Sequence, residues 1–237
     1  MEPPETNPEV LPMMPPARPR VWPMYRAVVG IGLACGIAIV MVYELTGPII
    51  RQNKIEMREK AITKVLPGAT TSAAFRLNQS GGFDPVPSDN EGDDLVFAGY
   101  DDNHELVGLA IAARGMGYQD VIRLLYGYSF EKQAILGISV LESRETPGLG
   151  DRIETDPDFL RNFGNLDVSL TPDGAELANL IEFVKPGEKN DPWQIDGISG
   201  ATVTSKATAN MLSESSARWI PTVHPKKEVF QYREGVE

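Results

Sequence analysis

Hydrophobic and polar residues divide the start of the chain into a leader and an apolar run. Residues 1–24 are rich in proline and contain few large apolar side chains, so we expect an extended leader. The run from Ala27 to Tyr43 contains no charged side chain. A run of this length is at the short end of what crosses the hydrocarbon core as a helix, and aromatic residues flank it. We therefore predict one transmembrane helix over residues 25–46.

The residues around this run leave one alternative and one question of orientation. A cleaved signal peptide is the alternative, but the leader is long for a signal peptide and no A-x-A-like cleavage site follows, so we favour an uncleaved anchor. After Gly47-Pro48, apolar residues recur with helical spacing, which predicts a juxtamembrane helix over residues 47–68. Basic residues lie on both sides of the apolar run, so charge does not determine the orientation of the anchor.

Residues 69–220 have the patterning of one globular α+β domain. Strand-like runs come first and helical patterns later, an order that predicts a largely antiparallel sheet with flanking helices. Residues 70–93 are rich in Gly, Ser, Asp and Pro and predict a loop. Residues 221–237 are expected to form a C-terminal tail. The strand-like runs are 95–100, 106–113, 121–126 and 134–141, and the helical patterns are 156–163, 176–184 and 203–219.

Composition narrows the possible chemistry. The net charge is -11 and no basic stripe is present, which argues against nucleic acid as a partner. The chain has one cysteine, Cys35, and two histidines, His104 and His224, that are far apart. These residues alone cannot supply a disulfide framework, an iron–sulfur cluster, a haem attachment or a Cys/His zinc site. We predict no metal site, and redox chemistry would require an organic cofactor.

The first candidate site is the segment 196–202, with the sequence DGISGAT, before the last predicted helix. Its small residues Gly200 and Ala201 leave room for a bulky group against the backbone. A phosphate there would meet free N–H groups and the positive end of the helix dipole. Thr202 adds a hydroxyl group, as do the two polar residues at 204 and 205. The alternative is an ordinary helix start with a Ser or Thr N-cap.

The second candidate site is the segment 145–150, with the sequence ETPGLG, after a predicted strand. Pro147-Gly148 fits the centre of a type II turn, in which glycine supplies the positive φ. Leu149 would then be an exposed apolar residue at the tip, which indicates that a flat group packs on it. The alternative is a hairpin tip with no special role.

Together the two motifs resemble a known family. The D-x-x-[ST]-G-A-T pattern at 196–202 is similar to the flavinylation signature of the FMN-binding domain in the RnfG and NqrC subunits of ion-translocating oxidoreductases. The ETPGLG segment is similar to a second hallmark of that family, and both follow one anchor in the family's order. The stretches GLGDRIE and GYQDVIRLLYGY look closer to RnfG than to NqrC. The proline-rich leader departs from what the family leads us to expect.

The resemblance implies a covalent cofactor and assigns roles by position. Thr202 would carry FMN as a phosphoester, made by a dedicated flavin transferase that takes FMN from FAD. Asp196 would serve recognition by that transferase. The other residues expected at the cofactor are Ser199, Gly200, Ala201, Glu145, Thr146, Gly148, Leu149, Thr204 and Ser205.

The resemblance also implies an electron relay in a membrane complex. Such a complex couples ferredoxin–NAD redox chemistry to cation transport, and its iron–sulfur and flavin subunits would be the partners. The leader would be cytoplasmic, and the soluble domain would lie on the extracytoplasmic side of the cell membrane, with lipid around the anchor. Three alternatives remain: an NqrC-like subunit of a sodium-pumping NADH:quinone oxidoreductase, a membrane-anchored FMN-binding regulatory protein, and a cofactor-free scaffold in which both motifs are plain turns.

Overall fold

The computed structural model describes residues 21–88, 90, 92 and 94–232. Most of the predicted leader therefore lies outside the described residues. The chain divides into two compact units, with the boundary between Arg51 and Gln52. Helix α1 extends from Trp22 to Val65. Among the described residues it is the one helix whose length and composition suffice to cross a membrane.

The predicted division into a transmembrane and a juxtamembrane helix is wrong in one respect, because α1 continues through Pro48. A proline inside a helix removes one backbone hydrogen bond and usually kinks or ends the helix. Here the hydroxyl of Thr46 donates to the carbonyl oxygen of Val42 at 2.8 Å, in the turn before the proline. Ser and Thr side chains of this kind help a membrane helix to tolerate proline.

The second unit is built on an antiparallel sheet of seven strands in the order β2-β1-β3-β4-β5-β6-β7. This arrangement confirms the predicted α+β class with a largely antiparallel sheet. A separate parallel pair joins Glu182–Val184 (β8) to Gln194–Asp196 (β9). The strands of the large sheet are β1 (Thr71–Leu77), β2 (Phe83–Val86), β3 (Leu95–Tyr100), β4 (Leu106–Met116), β5 (Val121–Ser129), β6 (Ala134–Glu142) and β7 (Leu166–Asp167).

Two apolar clusters cover the two faces of this sheet, because alternate side chains of a strand point to opposite faces. On one face, Val65 and Leu66 at the end of α1 pack with Phe97 and Leu125. On the other face, a larger cluster includes Ile111 of β4 and residues of the helices that come after β6 in the sequence. Those helices are α2 (Arg152–Thr155), α3 (Pro157–Arg161), α4 (Thr202–Val223) and a 3₁₀ helix (His224–Phe230).

The structure corrects two secondary-structure predictions. The segment 70–93, predicted as a loop, contains β1 and β2, and its Gly- and Ser-rich centre is the connection between these paired strands. The helix predicted over 176–184 is absent from this described segment, which ends in β8. Leu177 and Ile181 are buried with the spacing of a helical face, but they reach the core from irregular backbone.

The predicted C-terminal tail is also partly wrong. Helix α4 continues to Val223, and the 3₁₀ helix follows it to Phe230. The ring of Phe230 packs edge-on against Phe75, with 5.2 Å between ring centroids. Its carbonyl oxygen accepts a hydrogen bond of 2.9 Å from the Tyr100 hydroxyl. Residues 221–230 therefore belong to the folded domain, and Val223 and Phe230 are part of its core.

Candidate functional site

The ETPGLG segment forms the predicted tight turn. Gly148 has φ +78°, as a type II turn requires at this position. The carbonyl oxygen of Thr146 accepts hydrogen bonds of 3.1 Å from the N–H groups of Leu149 and Gly150. Asp151 accepts a further bond of 2.7 Å from the Gly148 N–H. These hydrogen bonds hold the turn at both of its ends. Leu149, at the tip of the turn, is 50% exposed.

The DGISGAT segment forms a second tight turn before α4. The N–H of Ala201 donates to the carbonyl oxygen of Ile198 at 3.0 Å, and Gly200 has φ +85°. The guanidinium of Arg152 donates to the Ser199 carbonyl oxygen at 2.9 Å. Ser199 and Gly200 are exposed, and nothing lies within 4 Å of where a Gly200 Cβ would be. The backbone here is well held, yet it leaves open space beside it.

Helix α4 begins at Thr202, one residue earlier than predicted, and its N-cap is Ala201. The cap makes no side-chain hydrogen bond to the helix, so the alternative of an ordinary Ser or Thr N-cap is wrong. The first N–H groups of a helix have no partner within the helix, and the helix dipole adds partial positive charge there. Thr202 and Val203 are exposed at this end. An anionic group on Thr202 would meet a favourable environment.

The other two hydroxyl groups at this helix start are buried and already hydrogen-bonded. Thr204 is 2% exposed, and its hydroxyl donates to Glu145 Oε2 at 2.6 Å. The Ser205 hydroxyl donates to the Ala201 carbonyl oxygen at 2.9 Å and accepts from the Ile198 N–H at 3.1 Å. Both were predicted at the cofactor. In the structure both side chains lie beneath the helix start, with their hydroxyl groups hydrogen-bonded within the domain.

Glu145, which was also predicted at the cofactor, is buried. Its side chain is 6% exposed and points into the protein, where Oε1 accepts a hydrogen bond of 2.9 Å from the Gln119 N–H. Thr146, next to it, donates its hydroxyl to the Gln119 side chain at 3.2 Å. The turn, the segment around residue 119 and the start of α4 therefore meet at this carboxylate.

A groove of about 410 Å³ lies beside Thr202. It is bordered by Met116 at the end of β4 and by one face of α4. Met116 is 64% exposed, and Tyr118 and Leu149 are also exposed. An exposed large apolar side chain such as Met116, in a groove beside a polar attachment point, is typical of a ligand site. Met116 and Tyr118 were not predicted from the sequence as site residues, although the glycines on either side of Met116 were a usable signal.

Asp196 is half-buried and already engaged in the fold. Its carboxylate oxygens accept hydrogen bonds of 2.7 and 3.0 Å from the Gly187 N–H. Burial lowers the pKa of Lys189, and the nearby charge of Asp196 acts in the opposite direction. The Asp196 backbone is held as well, because its N–H donates to Asn162 at 3.0 Å. Asp196 thus shapes the loop that leads to Thr202.

A second cavity of about 410 Å³ lies elsewhere in this unit and is lined by the end of α1, by strands β3 to β6 and by α4. Met57, Phe97 and Leu125 are among its apolar lining residues, with Arg123 at its border. No residue of the two motifs lines it. Within the described part of the chain, no group of three or more His, Cys, Asp or Glu residues is arranged to hold a metal ion.

The fold and this site define the class as an FMN-binding domain. The sequence model of the family described as FMN-binding domain matches residues 117–216, which include both turns, Thr202 and most of α4. The site fits the cofactor, because it offers an exposed hydroxyl at an uncapped helix start and exposed apolar side chains within the same region. The residues present are therefore compatible with a ligand that has both a phosphate group and an aromatic ring.

Relatives narrow the class to a family. The chain is 30% identical over 182 residues to the G subunit of the ion-translocating oxidoreductase complex of Methanosarcina acetivorans, covering 73% of this chain and 81% of that protein. It is 30% identical over 165 residues to the protein of the same name from Escherichia coli K12, covering 69% and 74%. The chain belongs to this family of G subunits.

A solved structure supports the fold. The crystal structure of Shewanella oneidensis NqrC superposes with a TM-score of 0.58 and 18% sequence identity, covering 74% of this chain and 99% of that chain. The NqrC structure from Parabacteroides distasonis gives a TM-score of 0.54 at 21% identity, covering 77% and 96%. At such low identity the likeness concerns the fold alone. The resemblance predicted from the two motifs is confirmed at the level of family and fold.

Proposed function

We propose that this chain is the membrane-anchored electron-carrying subunit of an Rnf-type complex and holds FMN covalently on the Thr202 hydroxyl. One observation carries the proposal. Of the hydroxyl groups on Thr202, Thr204 and Ser205, the last two are buried and hydrogen-bonded, while Thr202 is exposed at the uncapped start of α4. Of these three hydroxyl groups at the start of α4, the Thr202 oxygen is the one accessible to another enzyme.

The attachment step transfers an FMN unit from FAD. The Thr202 oxygen forms a bond to the phosphorus of the FMN phosphate, the bond from that phosphorus to the AMP unit breaks, and AMP leaves. The threonine proton passes to a base of the flavin transferase. A threonine hydroxyl is a weak nucleophile without such a base, and no acidic or histidine side chain of the described residues is hydrogen-bonded to Thr202. The need for a separate enzyme follows.

The residues of this chain bind and orient the cofactor. The phosphodiester retains a negative charge, which the N-terminal end of α4 stabilises. Leu149 and Met116 offer apolar surface to the ring, and Thr146 and Gly148 hold the turn that presents Leu149. FMN, when bound, accepts and donates one or two electrons, and the protein sets its position and surroundings.

The same proposal gives the protein its partners and its place. The relatives are named as parts of an ion-translocating oxidoreductase complex, so other redox subunits of such a complex, containing iron–sulfur clusters and flavins, are the electron partners. α1 anchors the chain in the cell membrane. The FMN-binding unit lies on the extracytoplasmic side, where covalent attachment prevents loss of a flavin that no free pool could replace. The complex couples ferredoxin–NAD redox chemistry to cation transport.

Mass spectrometry of the Thr202 peptide tests the attachment. The full-length protein is produced with a flavin transferase, and the wild-type peptide is expected to gain the mass of FMN minus water. Thr202→Val should abolish this gain completely, while Thr202→Ser should retain part of it. Thr222→Val, at the far end of the same helix, is the matched control and should leave the gain intact. A wild-type peptide of unmodified mass contradicts the proposal.

Copurification tests the assignment of the complex. If the anchored protein copurifies with an iron–sulfur-rich set of subunits that oxidises ferredoxin, the Rnf-type assignment is supported. If it copurifies with a sodium-pumping NADH:quinone oxidoreductase, the NqrC-like alternative is correct. Isolation alone, with FMN attached, would instead favour a membrane-anchored regulatory protein.

A further inference from the structure

Glu145 lies where the parts of the site meet. Its Oε2 accepts a hydrogen bond of 2.6 Å from the hydroxyl of Thr204, two residues after the attachment point. Its Oε1 accepts a hydrogen bond of 2.9 Å from the backbone of Gln119. Glu145 is itself the first residue of the turn that exposes Leu149. One buried side chain therefore links the attachment helix, the turn and the strand connection beside Met116.

Two glycines make room for this carboxylate. A Cβ atom on Gly117 would lie 2.5 Å from Glu145 Oε1, and one on Gly150 would lie 2.5 Å from Oε2. Real Cβ atoms do not approach a side-chain oxygen so closely. The backbone at these positions accordingly lies against the carboxylate from two directions, and a Cβ atom at either position would require the Glu145 side chain to shift. The enclosure fixes where the Glu145 side chain can lie.

The charge of Glu145 is compensated by dipoles. Among the described residues, Glu145 takes part in no salt bridge, since the nearby Arg144 pairs with Asp120 at 3.3 Å and Arg152 pairs with Asp156 at 2.5 Å. The hydrogen-bond donors to Glu145 are a hydroxyl and a backbone N–H, and the N-terminal end of α4 adds partial positive charge. A negative charge without a cationic partner acts more strongly on its surroundings in a buried position.

We propose that Glu145 is a positioning residue that holds the ring-binding turn against the attachment helix and that places a negative charge close to the start of that helix, where the flavin would be attached. This inference rests on the proposed function. If the tether at Thr202 fixes only the phosphate end, the ring needs a separate restraint, and the Glu145–Thr204 hydrogen bond supplies it by joining the two segments. The negative charge opposes electron uptake, so it lowers the reduction potential of the flavin.

The test compares Glu145→Ala and Glu145→Gln in the full-length protein produced with a flavin transferase. Glu176→Gln, on an exposed loop, is the control for removal of a carboxylate. Three quantities are measured for each variant: FMN per chain by mass spectrometry, anisotropy of the flavin fluorescence, and the midpoint potential. Glu145→Gln keeps the shape of the side chain and removes only its charge.

Glu145→Ala should retain FMN to within about twofold of wild type but lower its anisotropy, because the ring moves on its tether. Glu145→Gln should keep the wild-type anisotropy and raise the midpoint potential, which a purely structural role would not do. If Glu145→Ala fails to fold, Glu145→Gln decides. Anisotropy and potential unchanged from the Glu176→Gln control would overturn the inference. A wild-type protein without FMN would instead show that the proposed function has failed.

Discussion

The two faces of the sheet use glycine for opposite purposes. Beneath the end of α1, a Cβ atom on Gly127 would lie 1.9 Å from the Val65 carbonyl oxygen, so the helix backbone fills the space that a side chain would occupy. At the candidate site on the other side, Gly148 and Gly200 have positive φ, and nothing lies within 4 Å of their Cβ positions.

This difference distinguishes packing from binding. Glycine at position 127 allows two backbones of the same unit to approach, and its contribution is to stability. Glycine at positions 148 and 200 shapes tight turns that leave open space, and Leu149 remains exposed next to one of them. A packed region has no space left for a ligand, because the protein's own atoms fill it. A cofactor site instead contains space that the protein does not fill and that the cofactor can occupy.

The largest expected effect is on the α1 side. Gly127→Ala forces the new methyl group into the Val65 carbonyl and should lower the free energy of unfolding by about 3 kcal/mol or more. Gly137→Ala is a close control, because Gly137 pairs with Gly127 across the sheet and its Cβ would lie 3.5 Å from Val65 Cα. That variant should change stability by less than about 1 kcal/mol. Chemical denaturation measures both, and equal midpoints would contradict the comparison.

A substitution of intermediate effect addresses the turn itself. Gly148→Ala should cost about 1 kcal/mol, because alanine is disfavoured at positive φ although no atom obstructs it. Gly174→Ala is matched to it, since Gly174 also has positive φ and open space around its Cβ position. Both should lower the unfolding midpoint equally, but only Gly148→Ala should lower the anisotropy of flavin fluorescence. If the anisotropy of flavin fluorescence is the same in both variants, the turn at Gly148 does not contact the flavin.

A smaller effect on stability is expected at Leu149. Because its side chain is exposed, Leu149→Ala should change the free energy of unfolding by less than about 0.5 kcal/mol. The ring would lose apolar contact, so flavin anisotropy should fall while attachment at Thr202 persists. Leu180→Ala, at another exposed leucine, should change neither property. Loss of stability in Leu149→Ala without a change in the flavin signal would instead assign Leu149 to the core.

The smallest expected effect is a dependence of stability on pH, caused by His224 directly after α4. Burial, and then the charge of Lys227, lower the pKa of His224, and the Tyr128 hydroxyl lies 2.7 Å from its Nδ1. The unfolded state therefore binds the proton more readily, and stability should fall as pH decreases from the unfolded pKa towards the folded one. His224→Gln should reduce the dependence of the denaturation midpoint on pH between about pH 8 and about pH 5, the range in which histidine titrates. An unchanged slope would show that other groups titrate.

Much of the fold could be predicted from local patterning, and the exceptions have physical causes. The strands β3 to β6 alternate between two buried faces, and α4 has a long apolar stripe, so their signals are strong. Strands β1 and β2 were missed because they enclose a connection rich in Gly and Ser, and because β2 has only four residues. The prediction of a helix over 176–184 was wrong because buried residues with helical spacing, here Leu177 and Ile181, can also lie on irregular backbone.

Part of the site was also predictable. The positive φ of Gly148 follows from Pro-Gly in a turn, and the exposure of Thr202 follows from its place at a helix start. The burial of Glu145 does not follow from either motif. Its position depends on Gly117, Gln119 and Thr204, which are far from it in sequence and meet it only after the sheet and α4 have packed.

The amino-acid sequence by itself determined the anchor-like apolar run, the antiparallel α+β domain, the two turns and the family to which they point, because each of these depends on residues near one another in the chain. Only the tertiary structure decided which hydroxyl remains exposed and which carboxylate is buried. Hydrogen bonds such as that between Thr204 and Glu145 join residues that are distant in sequence. Their formation depends on how the elements pack, and that information is spread over the whole domain.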